Sequence, residues 1–514
     1  GFVRLYTNSM NGKDISDLEI SGQIVDYGFG RTVAGAGDLN GDGYDDFMIG
    51  EPFANSNGLT SCGAIYIFFG GPGLSATYSK KIIGPSNYLE TGHSLASAGD
   101  VNGDGFDDII SGGYPFHSGG IAFLYYGGLN MDTIQDLHFD GQSLGDELGF
   151  DVAGAGDVNG DGYDDVLLSQ KGAGSNSVKA KLYFGGKIMN NDEDVVFRNS
   201  LDASESSVFS GDFNNDGFSD IAVGSPKAKS LIGQVFICLG GTNMDTTKDF
   251  VFSGFNTDDE FGHSIASGDL NNDGYSDLIV GAPDNNDAGV LSGKVYVYYG
   301  GQTMNSFPSF SIPGLIAGER FGFSVANAGD VNNDGFTDFA VGAPYSVCGK
   351  AYIFYGGINI STTPSITTGD NAPEGEHFGY EVDNAGDING DGLSDLITCA
   401  PHYSIIGITY GKASVFLSSS PPVIPRILKV ADVPNDQGGN VLLKFQRSGY
   451  DVIGQTKITS YIVERSRPPG ANGFFWEQVA VIAPNYSPGY LYTASTWGDS
   501  SSNGSDKIYF RVTA

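Results

Sequence analysis

The chain has 514 residues, room for about three average domains, and its 61 acidic against 26 basic side chains give a formal charge of −35. Such a surplus repels phosphate, which sets nucleic acid and anionic membrane surfaces aside as partners. Hydrophobic residues at 40% and aromatics at 12% exclude a disordered acidic polymer, and no apolar run approaches the ~18 residues of a spanning helix.

The first residues, Gly1 to Tyr6, show no basic region, apolar segment or cleavage site, so any signal peptide is expected to be already gone. Val3–Gln23 aligns without gaps to Ala122–Gln142, so the chain starts partway through a repeating unit. Seventy-eight Gly without a collagen period predict tight turns between short strands, and the reading is all-β. Cys62, Cys238, Cys348 and Cys399 lie far apart without C-x-x-C spacing, which argues against a zinc knuckle or redox pair. Cys238 and Cys399 sit in apolar strand-like runs, where buried free thiols are expected, and no disulfide can be placed.

An acidic nonamer then recurs seven times: DLNGDGYDD, DVNGDGFDD, DVNGDGYDD, DFNNDGFSD, DLNNDGYSD, DVNNDGFTD and DINGDGLSD, with a period of about 58 residues. Around it the context repeats. A Phe-Gly or similar pair opens a short strand before it, as at Phe29-Gly30, Phe261-Gly262, Phe321-Gly322 and Phe378-Gly379. A run such as DLIVGAP follows, then an aromatic strand ending in paired glycines, then a last strand. Four short strands per unit, seven times over, predict a seven-bladed β-propeller across residues 1–420. The seventh unit ends after KASVFLSSS without its final strand, so Asp17–Ser21 is expected to supply that strand and close the ring.

Within the nonamer, position one is Asp38, Asp100, Asp157, Asp212, Asp269, Asp330 and Asp387. Position three is Asn40, Asn102, Asn159, Asn214, Asn271, Asn332 and Asn389; position five is Asp42, Asp104, Asp161, Asp216, Asp273, Asp334 and Asp391. Position six is always Gly, and position nine is Asp46, Asp108, Asp165, Asp220, Asp277, Asp338 and Asp395. Oxygen-bearing side chains at alternate places, with Gly permitting a sharp turn, wrap a loop around a hard cation. Position seven (Tyr44, Phe106, Tyr163, Phe218, Tyr275, Phe336, Leu393) offers only its carbonyl, its side chain being expected to point into the blade. An EF-hand needs Glu at position twelve between helices; here that place holds strand residues such as Ile49 and Val280. Mg²⁺ prefers few protein ligands and retained water. A single copy would be equally well explained as an Asx turn. Seven copies with three fixed acids each would repel strongly without a counter-ion, which favours Ca²⁺, about one per blade, in a structural role.

These motifs resemble the FG-GAP repeat family, the blades of integrin alpha-subunit propellers and of many secreted bacterial proteins. The resemblance covers about residues 1–420 and implies Ca²⁺ held through positions one, three, five, seven and nine on the underside of the blades. Integrins carry the pattern in only a few blades, whereas all seven units keep it here. Unit four lacks the Phe-Gly pair (SESSVFSGD), leaving its opening strand open to question, and unit three lacks the GAP proline (SQKGAG). The family spans adhesion, structural and carbohydrate-associated proteins, so it narrows function only partly.

Ser418–Arg426 (SSSPPVIPR) is a proline-containing hinge, and six strand-like runs follow over residues 421–514. Their pattern, with Trp476 expected in the core, resembles a fibronectin type III or related sandwich. Such a domain has seven strands, so one sheet edge is expected to be bare. Phe2–Thr7 is a spare strand, because unit seven has its counterpart in KASVFLSSS. Either that strand completes a neighbour's sandwich and builds a head-to-tail filament, or the sequence is a trimmed piece of a longer protein.

No catalytic constellation stands out. His93, His117, His138, His263, His377 and His402 are scattered, and the equivalent repeat positions of His93 and His263 suggest strand packing more than metal binding. Nucleophile elbows, Walker loops and dinucleotide fingerprints are absent from the right contexts; the acids are too numerous for inspection to single out a glycosidase pair. The expectation is a non-enzymatic, secreted or cell-surface calcium-binding adhesion or structural protein, its partners further copies of itself or an extracellular protein or glycan. Millimolar calcium outside cells suits such loops. The rival reading is a carbohydrate-binding propeller, with its site on the variable segments Phe53–Ser61, Pro115–Gly119, Asp284–Ser292 and Tyr345–Cys348.

Overall fold

The computed structural model describes residues 18–22, 28–114, 119–170, 177–199, 207–228, 232–369, 375–402, 404–405, 408–409 and 411–418. Beyond these it describes the backbone of six strands between Ile427 and Thr513. The chain divides into two compact units, Gly1–Ser418 and Ser419–Ala514.

The first unit holds seven four-stranded antiparallel sheets among its described residues. In the first sheet the strands are Thr32–Gly37, Asp46–Glu51, Ala64–Phe68 and Lys80–Ile83, side by side in chain order. Their composition sets the layering. The second strand, DFMIGE, is buried at every residue, which a near-continuous apolar run allows. The fourth strand of the next sheet, LHFD, buries only Phe139 and belongs on an outer edge. The first strand of each sheet neighbours the first strand of the next, and that of the seventh neighbours that of the first. The result is a closed seven-bladed propeller.

Leu18–Ser21 lies antiparallel to Lys412–Phe416, with Leu18 opposite Val415 and Ser21 opposite Lys412. It is the outer strand of the sheet completed by Val382–Gly386 and Asp395–Ala400. Leu18 and Ile20 are buried in a cluster that joins blade one (Val33, Phe47, Ile49) to blade seven (Ile397, Val415). Burying two such side chains contributes about 1.5–3 kcal/mol each, and Lys412 Nζ adds an ion pair to Glu19 at 3.0 Å.

The Phe-Gly and Gly-Ala pairs meet between blades. Phe261, Phe321 and Phe378 bridge, parallel, to Gly233, Gly293 and Gly349 at the start of the preceding blade's third strand. A Cβ on Gly281 would stand 2.1 Å from the carbonyl oxygen of Gly322, so backbone approaches backbone where no side chain fits. Unit four has its opening strand at Val208–Gly211 despite lacking the Phe-Gly pair; residues 201–206, like 171–174 of SQKGAG, lie outside the described residues.

All four cysteines are free, with Cys62, Cys238 and Cys399 buried. Among the described residues no helix is long and apolar enough to cross a membrane. The second unit carries two three-stranded sheets. One orders Ile427–Asp432, Asn440–Gln446 and Gly489–Ser495; the other orders Trp476–Ile482, Tyr461–Ser466 and Phe510–Thr513. The expectations for Phe2–Thr7, for the 419–426 stretch of the hinge and for the side chain of Trp476 fall outside the described residues.

Candidate functional site: the acidic loops and the channel

Each nonamer joins the first strand of its blade to the second, so all seven loops gather at one end of the ring. The position-one carboxylate organises the turn. Asp38 Oδ1 accepts from the Gly41 and Asp42 N–H groups at 2.7 and 3.1 Å, and Oδ2 from Gly43 at 2.9 Å. Asp100, Asp157, Asp212, Asp269, Asp330 and Asp387 also accept from the fifth and sixth N–H groups of their loops. The position-five Oδ1 accepts from the position-seven N–H at 3.0–3.1 Å in every copy. Position six has φ between +86° and +90° in all seven, a conformation that side chains resist.

The position-nine carboxylates are wholly buried. In six blades Oδ2 accepts from the position-two N–H at 2.8–3.1 Å. Oδ1 accepts from the first of the paired glycines at 2.8–2.9 Å. Blade seven lacks those glycines, and the Ser418 N–H takes their place at 2.7 Å from Asp395. Each acid thus staples its loop to the end of the third strand. Burial pushes Asp46, Asp165, Asp220, Asp277 and Asp338 up to about 7, Asp108 to about 8 and Asp395 to about 9. The backbone donors oppose this, and the carboxylates of positions five and one push the same way as burial.

A hard cation fits this donor set. The Asn102 Oδ1 atom, an oxygen a hard cation can use, is buried without a partner in a loop that holds four carboxylates, Asp100, Asp104, Asp107 and Asp108. Among the described residues no three acids, imidazoles or thiols already converge as a finished metal cage, because the carboxylates turn to backbone N–H groups. The residues that would hold the ion are the side chains of positions one, three, five and nine with the position-seven carbonyl.

Position seven departs from expectation. Phe106, Tyr163, Phe218 and Tyr44 do not turn into their own blades. Their rings lie over Gly41, Gly103, Gly160 and Gly390 of the preceding loop, where a Cβ would come within 2.3–2.5 Å. A small residue at position four leaves the hollow that draws the ring across. Position eight was not singled out by its residue type, yet it links the loops too. Asp107, Asp164 and Asp45 accept from the N–H of Asp38, Asp100 and Asp387 at 2.7–2.9 Å.

The ring encloses a central cavity of about 750 Å³ lined by the first strands and, towards the acidic loops, by Asp45 and Asp107. In six of the seven units the residue after the Phe-Gly position lines it: Arg31, His93, Phe150, His263, Phe323 and Tyr380; residue 206, its counterpart in unit four, lies outside the described residues. His93 stacks on Tyr114 and Phe150 with centroids 5.1 and 5.4 Å apart, and His263 packs on Phe323 at 4.8 Å. Two histidines distant in sequence, His377 and His402, also meet, at 4.7 Å. Of the variable segments, Phe53–Ser61, Asp284–Ser292 and Tyr345–Cys348 join second to third strands at the mouth, the end opposite the acidic loops; residues 115–118 lie outside the described residues.

One residue further on stands a latch at every blade interface. Thr32, Ser207 and Ser264 donate to the carbonyls of Gly92, Gly262 and Gly322 at 2.8–3.0 Å. Ser94, Asp151, Ser324 and Glu381 accept from the N–H groups of Val152, Val208, Val382 and Val33 at 2.9–3.1 Å. Asp383 adds a second acceptor for blade one, from Gly35 at 3.0 Å. Burial raises Glu381 to about 8 and Asp151 and Asp383 to about 6.

Residues 29–68, 206–238, 261–298 and 321–354 match the FG-GAP repeat family. Integrin alpha-5 of Xenopus laevis is 34% identical over 233 residues, covering 43% of this chain and 22% of that protein. Integrin alpha-PS2 of Drosophila melanogaster is 31% identical over 257 residues, 45% of this chain and 17% of its own length. Human integrin alpha-6 is 33% identical over 176 residues, 34% of this chain and 15% of its own length. The chain therefore spans only 15–22% of these curated relatives, and it carries the FG-GAP repeats they share with it.

Proposed function

We propose that this FG-GAP repeat propeller is an extracellular adhesion or structural module whose seven acidic loops each hold a Ca²⁺ ion. The observation that carries the reading is the repetition of one hydrogen-bonded frame, position-one acid over the turn and position-nine acid beneath it, in all seven blades. Buried carboxylates crowded by neighbouring acids are stable when a divalent cation offsets them, and calcium outside cells is abundant enough to fill loops of this kind. The likeness to integrin alpha subunits supports a place at the cell surface or beyond it. Direct metal analysis after dialysis against calcium is expected to give about seven ions per chain. A chain that binds none, and unfolds at one temperature with and without chelator, would remove the reading.

The finer reading is assembly. Phe510–Thr513 pairs with Tyr461–Ser466 on one side, and no other described strand pairs with it. A sandwich of fibronectin type III kind would accept one more strand there, and Phe2–Thr7 of a neighbouring copy has the length to add itself. Negative-stain images of the calcium-loaded chain should then show filaments that disappear when residues 1–8 are removed. Isolated particles at high concentration would dispose of assembly and leave the calcium reading untouched.

A further inference from the structure

The acidic loops are tied to one another, and the ties are unequal around the ring. At six of the seven junctions the second of the paired glycines donates its N–H to the position-two carbonyl of the preceding loop, at 2.7–2.9 Å. Three junctions, those of loops seven and one, one and two, and two and three, add two further ties. The first is the position-eight carboxylate: Asp45, Asp107 and Asp164 accept the position-one N–H of Asp387, Asp38 and Asp100 at 2.7–2.9 Å. Gly386, Gly37 and Gly99 stand where that carboxylate enters, with no room for a Cβ beside it. The second is the position-seven ring: Tyr44, Phe106 and Tyr163 cover Gly390, Gly41 and Gly103 of the preceding loop. The ring alone continues to the next junction, where Phe218 covers Gly160 and position eight becomes Ser219. From loop four onward both ties stop. Position four is Asn215, Asn272 and Asn333 in place of glycine, with φ between +54° and +61°. Position eight is Ser276, Thr337 and Ser394, and among the described residues none of these hydroxyls bonds a position-one N–H. The amide contacts made there, Gln302 Nε2 to the Asn214 carbonyl and Asn272 Nδ2 to the Gly335 carbonyl, touch neither a position-one N–H nor a position-seven ring.

We propose that loops seven, one, two and three take up their cations as one cooperative group, while loops four, five and six fill independently. The inference rests on the calcium reading of the loops and adds how filling one affects the next. Coupling enters at positions one and seven. Position one supplies a carboxylate to its own loop, and its N–H is fixed by the acid of the following loop. Position seven supplies a carbonyl to its own loop, and its ring is fixed on the preceding one. Ordering one loop around its ion therefore orders a ligand-bearing residue of the next, and the second ion meets a frame already held. The position-eight acid adds coupling through charge. It brings a fourth carboxylate to its own loop and sets it against the position-one residue of its neighbour, so positive charge in either loop offsets repulsion felt in both. Linkage makes the effect reciprocal, so the tied loops respond as a group and not in a fixed order. Where position eight is serine or threonine and position four is asparagine, both routes are missing. Position eight is outside the proposed ligand set, which lets it be changed without removing a ligand.

The test counts ions on the full chain, by native mass spectrometry with calorimetry alongside, as calcium is returned to a chelator-treated sample. Cooperative filling is expected to spread the ion counts at half saturation more broadly than a binomial, with affinity rising at least about fivefold from one tied loop to the next. Independent loops, equal or unequal, cannot exceed the binomial spread. Asp107→Ser gives the junction of loops one and two the residue type found at Ser276. It should narrow the spread while the final count stays at one ion per loop. Ser276→Ala, at a junction without the ties, should change neither. Should Asp107→Ser misfold, Phe106→Leu puts at position seven of loop two the residue that loop seven carries at Leu393. That change keeps the carbonyl, uncovers Gly41 and should narrow the spread likewise. A chain that fills every loop with a binomial spread overturns the coupling and leaves the calcium reading standing, whereas a chain that binds no ion removes both. A broad spread that Asp107→Ser and Phe106→Leu both leave unchanged overturns the assignment to these ties.

Discussion

The two ends of the propeller both bury carboxylates, and they do so for different reasons. At the loop end, Asp46 and its six counterparts are surrounded by further acids from positions one and five, and their raised affinity for protons reflects burial sharpened by repulsion. At the mouth end, Glu381, Asp383 and Asp151 accept backbone N–H groups of the neighbouring blade and act as latches across an interface. On the calcium reading, the first set is offset by an ion when ionised. The second joins neighbouring blades and belongs to no acidic loop, so that reading gives it no ion.

The largest effect that separates the ends is calcium removal. A site held at 100 times its Kd stabilises the folded chain by ~2.7 kcal/mol, so emptying several loops at once should lower Tm by tens of degrees. A shift of a degree or two would make the loops ordinary Asx turns, and the two ends would then be alike. Next in size is closure of the ring. Leu18→Ala and Ile20→Ala should cost about 2–5 kcal/mol each in chemical denaturation, with or without calcium, because the cluster they fill joins blades one and seven.

The loop end was legible in the sequence, because all seven copies repeat the same residues for the same hydrogen bonds. Even the unequal parts follow that logic: where the paired glycines are missing, Ser418 supplies the N–H that Asp395 requires. The mouth was much less legible. Its positions also recur once per unit, but they hold Arg, His, Phe, Tyr or Ser in one place and Thr, Ser, Asp or Glu in the next. Residue type conceals the register there. Only the ring, which brings seven first strands around one axis, shows that Thr32, Ser94 and Glu381 do equivalent work. The long reach of position seven was missed for a related reason: Gly41 and Phe106 belong to different units, and nothing local in either sequence points to the other.

pH distinguishes the two sets of acids. A carboxyl whose pKa is higher folded than unfolded binds more protons in the folded state, so its contribution is full below the unfolded value and is lost as pH rises through the folded one. For Asp151 and Asp383 that window runs from about 4 to about 6, and for Glu381 to about 8. The calcium-saturated chain should therefore lose stability between pH 5 and pH 8, and Glu381→Gln should flatten most of that slope above pH 6. General repulsion among the 61 acids has the same sign, but salt screens it at about 1 M, whereas the Glu381 contribution should persist. A slope that vanishes in salt and ignores Glu381→Gln would assign the effect to the surface.

The smallest effect is also the most discriminating between the ends. Gly43, at position six of the first loop, and Gly58, in the variable segment at the mouth end, have φ of +86° and +83°, and a Cβ on either would meet nothing within 4 Å. Alanine at either site therefore costs only the left-handed backbone, about 1–2 kcal/mol, and the two variants should be equally destabilised in chelator. In calcium they should part. Gly43→Ala perturbs the turn whose N–H groups orient Asp38, so it should also give up part of the binding energy of one ion and fall further behind. Gly58→Ala should keep the same deficit, since no acidic loop passes near it. Equal deficits in both conditions would mean that position six is glycine for the turn alone, and that the ion, if present, does not depend on the shape of the loop around it.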